Sequence, residues 1–102
     1  MTIDFEGKQE TVTINSIILE GGYTIRDAIV AGANSSYFTY TEKDYGKSGR
    51  LLTGFNGLET YDGKYWLYCI NGRKATQGID TQKLNDGDKI TWKLTANDNP
   101  CE

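Results

Sequence analysis

The sequence predicts an α+β fold: a single small domain in which a mixed sheet of about five or six strands carries one helix, about Ile25–Ala33, packed on it. Three observations predict it. Short alternating runs recur along the chain, the cleanest being KITWKL (Lys89–Leu94), where Ile90, Trp92 and Leu94 point one way. The dipeptides Asn56-Gly57, Asp62-Gly63, Asn71-Gly72 and Asp86-Gly87 punctuate the chain, because Asn, Asp and Gly suit the positive φ of tight turns. One segment, TIRDAIVAGAN from Thr24, has helical spacing instead. A hairpin, then a helix, then further strands is the order of a β-grasp-like arrangement. Two small packed sheets with one helix fit equally well.

The elements follow in order. TIDFE (Thr2–Glu6) places Ile3 and Phe5 on one side, and TVTI (Thr11–Ile14) does the same with Val12 and Ile14. Gly7-Lys8 between them reads as a hairpin turn. Thr24 stands at an N-cap position, and Asp27 approximates the return half of a capping box. Ile25, Ala28 and Ile29 are expected in the core, and Gly32 and Asn34 are expected to stop the helix. YFTY (Tyr37–Tyr40) reads as extended, TEKDYGKSGR (Thr41–Arg50) as a mobile loop and LLTGF (Leu51–Phe55) as a strand. In DGKYWLYCING (Asp62–Gly72), Tyr65, Leu67 and Cys69 share one strand face; Trp66, Tyr68 and Ile70 share the other. Both faces are largely apolar, which suits a central strand. The polar tail from Thr95 to Glu102 is expected to fray.

Bulk composition narrows the function. A chain of 102 residues suits one domain, spanning 1–102, that buries about 65% of its unfolded surface. The net charge is −3, with acids and bases mixed, so no nucleic-acid partner is expected. The longest apolar run, Ile17–Leu19, is too short to span a bilayer, and TIDFEGKQE after Met1 is not a secretory leader. Membrane anchoring is expected only through a segment absent from this chain. Histidine is absent, which removes the usual general base and the common zinc ligand. No nucleophile–base pair stands out, so the chain is read as non-catalytic. Cys69 and Cys101 are too far apart for a CxxC motif. Two free thiols are expected, with a disulfide as the alternative if the tail folds back.

Two kinds of binding residue stand out. Trp66 and Tyr68 either fill the core or line an apolar groove. Asp80, Asp86 and Asp88 are candidates for a calcium-like divalent cation, although the full EF-hand pattern is missing and a plain turn feeding the last strand is the favoured reading of NDGD. Asn34-Ser35-Ser36 is an N-glycosylation sequon.

Five segments carry a family resemblance: EGGYTIRDAI (Glu20–Ile29), LLTGFNGL (Leu51–Leu58), DGKYWLYCING, QGID (Gln77–Asp80) and LNDGDKITWKL (Leu84–Leu94). In this order they resemble the transcobalamin-like C-terminal domain, the smaller domain of cobalamin carriers, also found in bacterial lipoproteins and surface proteins. The resemblance covers about residues 12–94. Phe55 replaces the first residue of an INGL-like turn, and Cys69 stands where a plain strand residue is usual. The resemblance implies a ligand- or partner-binding module of a bacterial secreted or cell-surface protein. Its site would be Trp66, Leu67 and Tyr68, with Phe55, Asn56, Asn71 and Gly72 in the adjoining turns. They would act by contact and stacking. A corrinoid is the implied small-molecule ligand. The chain lacks the large helical domain that forms the other wall of the corrin site. A structural or adhesive spacer, with no small-molecule site, is the alternative from another class.

Overall fold

The computed structural model describes residues 1–14, 24–85, 87–97 and 99–101. Within them the order is β1 (Thr2–Asp4), β2 (Val12–Thr13), α1 (Ile25–Asn34), β3 (Tyr40–Asp44), β4 (Arg50–Phe55), β5 (Leu58–Glu59), β6 (Tyr65–Ile70), β7 (Arg73–Lys74) and β8 (Ile90–Thr95). The strands form a five-stranded sheet, β2-β1-β8-β6-β7, and a three-stranded sheet, β3-β4-β5. The molecule is therefore mostly β, which corrects the expected α+β fold with one mixed sheet of five or six strands. The physical reason is that alternation reports which strand face is buried, not which strand lies alongside.

The larger sheet is mixed. β1 runs parallel to β8, with Ile3 beside Trp92, and β6 runs antiparallel to it, with Trp66 opposite Leu94 and Tyr68 opposite Trp92. This register puts Ile3, Trp66, Tyr68, Ile90, Trp92 and Leu94 on one buried face, as the alternation in β6 and β8 predicts. Phe55 of the smaller sheet closes on that face. Its ring meets Trp66, Trp92 and Phe38 edge to face, with centroids 5.1, 5.3 and 5.3 Å away. The core lies between the two sheets, and the helix residues Ile25 and Ile29 join it.

Turn chemistry sets the hairpins. Asn56-Gly57, Asp62-Gly63 and Asn71-Gly72 all take positive φ at both residues, the mirror-image turn that matches strand twist. Glu6-Gly7 does the same, so the first turn centres one residue earlier than Gly7-Lys8. Asp86 and the Glu20–Tyr23 portion of the helix-start motif lie outside the described residues.

The helix starts as its sequence predicts. Thr24 Oγ1 accepts from the Asp27 N–H, while the Asp27 carboxylate accepts from the Thr24 N–H. The remaining first-turn donors are also satisfied: the Ile25 N–H bonds to Gln82 O and the Arg26 N–H to Ile79 O. This ties the helix start to the 79–82 segment. Gly32 is not the stop. It lies inside the helix, where an added Cβ would sit 2.5 Å from the Phe38 ring. The close-out is a Schellman arrangement: Ser36 takes φ 65°, and the Tyr37 N–H bonds back to Gly32 O.

Two further expectations are overturned. The polar stretch after Tyr40 contains strand β3, paired with β4 from Tyr40–Phe55 to Asp44–Arg50. Charge pairing stands in for an apolar face there: Arg26 donates to both oxygens of Glu42, and Arg50 bridges Glu42 and Asp44. Those guanidiniums, Arg26 foremost through its hydrogen bonds, hold the Glu42 carboxyl below its ordinary range. The described residues of the tail are likewise held in place. Cys69 and Cys101 form a disulfide, with Cα atoms 5.7 Å apart, so neither is the free thiol expected. The Asn97, Asn99 and Cys101 N–H groups each bond to a side-chain oxygen two residues earlier, and Thr95 and Pro100 are buried. The disulfide spans 32 residues of sequence, a separation for which loop closure implies about 3–4 kcal/mol of stabilisation. Replacing both cysteines by serine is expected to lower the unfolding free energy by about this amount in urea titrations.

Candidate functional site

The edge of β6 determines where a site can form. β7 is two residues long and pairs only with Cys69 and Ile70. Beyond the Ala75 N–H bond to Tyr68 O, that side of β6 has no strand partner among the described residues. Arg50, Leu51 and Leu52 of β4 approach this edge, and Gln77, Gly78 and Ile79 cross nearby. Between them is a cleft of about 150 Å³. Trp66, Leu67, Tyr68 and Trp92 supply its sheet wall, and Lys74, Ala75 and Pro100 complete the lining. Pro100 is brought there by the tail fixed at the Cys69–Cys101 bond.

The polar groups on these walls differ in what they have left to offer. The Trp66 Nε1–H donates to Leu58 O at 2.9 Å, and the Tyr68 hydroxyl donates to Gln77 O at 2.8 Å. Burial pushes the Tyr68 phenol up to about 12. The Arg50 guanidinium is committed to Glu42 and Asp44. Lys74 is exposed. Trp92 is 1% exposed, and its Nε1–H is the buried side-chain donor left without a partner among the described residues. An unpaired buried donor costs about 1–3 kcal/mol.

The structure gathers part of the sequence-derived site and disperses the rest. Trp66, Leu67 and Tyr68 lie together on the cleft, but Trp66 and Tyr68 are buried within the core as well as lining it. Phe55 is wholly buried at the sheet junction. Asn56 is a brace: its side chain accepts from the Thr39 N–H and its carbonyl accepts from Gln9. Asn71 is another, donating to Asp88 Oδ1 and accepting from the Lys89 N–H; Gly72 completes that exposed turn. Asp88 accepts from the Asn85 N–H and from Asn71, bonds that hold its carboxyl below the ordinary range. Asp80 sits instead beside Gly49, where its Oδ1 is 3.0 Å from an added Cβ. Asp86 lies outside the described residues. No group of three or more acidic or cysteine side chains able to hold a metal is found among the described residues.

The cleft also uses residues that sequence reasoning did not single out: Arg50, Leu51, Leu52, Lys74, Ala75, Gln77, Gly78, Ile79, Trp92 and Pro100. Trp92 and Ile79 stood inside the motif segments, but only as strand and turn residues. Pro100 had no signal beyond its place next to Cys101.

The model of the family described as "Domain of unknown function (DUF4430)" matches residues 27–96, about two-thirds of the chain. No curated protein matches it. The matched span contains the LLTGFNGL, DGKYWLYCING, QGID and LNDGDKITWKL segments and every cleft residue except Pro100.

The Tyr68 phenol yields a pH prediction. Its folded-state value lies above the ordinary 10.0, so its contribution to stability is complete below pH 10 and is lost as pH rises towards about 12. Urea midpoints measured across that window are expected to fall for the wild-type chain, and to fall less for Tyr68→Phe. Ultraviolet titration should show a late-ionising phenol that Tyr68→Phe removes.

Proposed function

We propose that this chain, which belongs to the DUF4430 family, is a non-catalytic binding module that engages a ligand or a partner domain through the cleft beside β6. The observation that carries the reading is the cleft itself. Its walls are mainly apolar, and its sheet side is built from Trp66, Leu67 and Tyr68, the three residues that the transcobalamin-like resemblance singles out. The family match is consistent with that resemblance. The buried, hydrogen-bonded side chains give the wall a fixed shape, which suits binding by contact rather than chemistry.

A bacterial secreted or cell-surface setting fits the disulfide, since such bonds persist in oxidising compartments. A corrinoid remains the implied ligand of the resemblance, and size limits how it binds. Pockets that enclose such ligands typically hold about 300–1,000 Å³. A cleft of about 150 Å³ cannot enclose a corrin. The macrocycle would lie across the mouth, against Leu51 and Leu67, with a second domain covering its other side. Burial of Trp66 and Tyr68 favours a second reading, a structural spacer in which these rings serve only the core.

Tryptophan fluorescence separates the readings. Cobinamide and cobalamin, corrected for their absorbance, are expected to quench the folded chain saturably. Leu51→Asp should weaken that quenching at least about tenfold without lowering the melting temperature, since Leu51 is 40% exposed. Quenching unchanged in the variant would remove the cleft mouth from the reading. Absence of quenching by either compound would remove the corrinoid.

A further inference from the structure

The last described residues reach the cleft through one covalent bond. We infer that the Cys69–Cys101 disulfide is a redox-operated strap. Closed, it holds Pro100 as a wall of the cleft. Opened by a dithiol, it releases residues 99–101 and opens the cleft on that side, while both sheets stay folded. The inference uses the cleft already described and goes beyond reading it as a binding site, by giving that site a control.

Placement comes first. Each half of the bond follows a cleft residue in the chain: Cys69 follows Tyr68 on β6, and Cys101 follows Pro100. Pro100 is buried as well as lining the cleft. The bond therefore joins one wall of the cleft to another.

Attachment comes second. The Asn97, Asn99 and Cys101 N–H groups each bond only two residues back, so these contacts shape the segment without tying it to its surroundings. Among the described residues, no hydrogen bond or ion pair joins 99–101 to β6, β7 or the 77–79 segment. The disulfide and the burial of one proline ring remain. Ordering the backbone of several residues costs more than one buried proline ring returns, so the segment stays in place only while it is covalently held.

Chemistry comes third. Cys69 is buried and Cys101 is half-buried, which directs attack to the Cys101 Sγ. One thiolate of the dithiol bonds to that sulfur. The S–S bond breaks, and Cys69 Sγ leaves with the electron pair and takes a proton. The second thiol of the dithiol then displaces the Cys101 thiolate, which takes a proton in turn. The protein disulfide gains two electrons and two protons; the dithiol loses them and closes to a cyclic disulfide. The core cluster between the sheets includes neither cysteine, so the step leaves the core packed.

The test needs no ligand, so its failure is distinct from failure of the binding reading. The full chain is reduced with dithiothreitol and followed by ¹⁵N–¹H NMR, with a neutral gadolinium chelate reporting solvent access. Reduction is expected to bring the heteronuclear NOE of Asn99 and Cys101 down to the values of a mobile chain. The relaxation that the chelate induces at the Leu67, Tyr68 and Ala75 amides should rise at least about twofold, with the β1, β3 and β4 amides unchanged. Cys101→Ser should reproduce these changes without reductant. Pro100→Gly, with the bond intact, should raise the relaxation at the cleft while Cys101 stays ordered.

Residues 99–101 that keep their order after reduction would overturn the strap. A mobile segment with unchanged relaxation at Leu67, Tyr68 and Ala75 would overturn its control of the cleft. Loss of shift dispersion throughout both sheets would make the bond a staple of the whole fold, and would overturn the inference as well.

Discussion

Phe55 packs its ring edges against Trp66, Trp92 and Phe38, and these contacts fix the positions of nearly everything else. Trp66 and Trp92 belong to the five-stranded sheet, and Phe55 belongs to the three-stranded one. Phe38 leads to the helix, where it fills the space that Gly32 leaves by having no side chain. Two sheets and a helix therefore converge on one ring. Each such aromatic pair adds about 0.5–1.5 kcal/mol beyond simple burial, and its geometry is specific. The Asn56-Gly57 turn holds Phe55 in place, because Asn56 also pins the chain at Thr39. A turn dipeptide and an aromatic contact are thus parts of one joint.

The cleft is a consequence of how that joint is covered. Trp66, Tyr68 and Trp92 present a continuous wall, but β7 ends before it can shield the β6 edge. The smaller sheet and the 77–79 segment come near without closing the gap. The helix start holds that segment, through the Arg26 N–H bond to Ile79 O. On the other side the disulfide fixes Pro100. A rigid scaffold of this kind keeps the cleft's shape with little ordering cost.

Much of this was legible in the sequence where a local rule acts alone. The alternation at Ile90, Trp92 and Leu94, the Thr24–Asp27 capping box and the paired positive φ values at Asn56-Gly57 and Asn71-Gly72 each depend on neighbouring residues only. The rest depends on contacts between distant segments. β3 hides in a polar stretch because its inward group is Glu42, neutralised by arginines from α1 and β4. The division into two sheets depends on strand neighbours, which alternation does not encode. The disulfide required the tail to return to β6, and nothing local to Cys101 says so. On the cleft, Trp66, Leu67 and Tyr68 stand in a motif strand that the sequence marks. Trp92, by contrast, looked like an ordinary core residue, since no sequence pattern reveals that its N–H lacks an acceptor among the described residues.

The central claim is that Phe55 makes the two sheets one cooperative unit, and native-state hydrogen exchange in Phe55→Leu tests it most directly. The substitution keeps the site apolar but removes the ring edges. The account predicts that amides of β4 and of β6 and β8 lose protection together, by a common free energy. Loss confined to β3 and β4, with β6 and β8 still protected as in the wild type, would contradict it. That result would mean that the larger sheet stands on its own and that the cleft is a seam between independent parts.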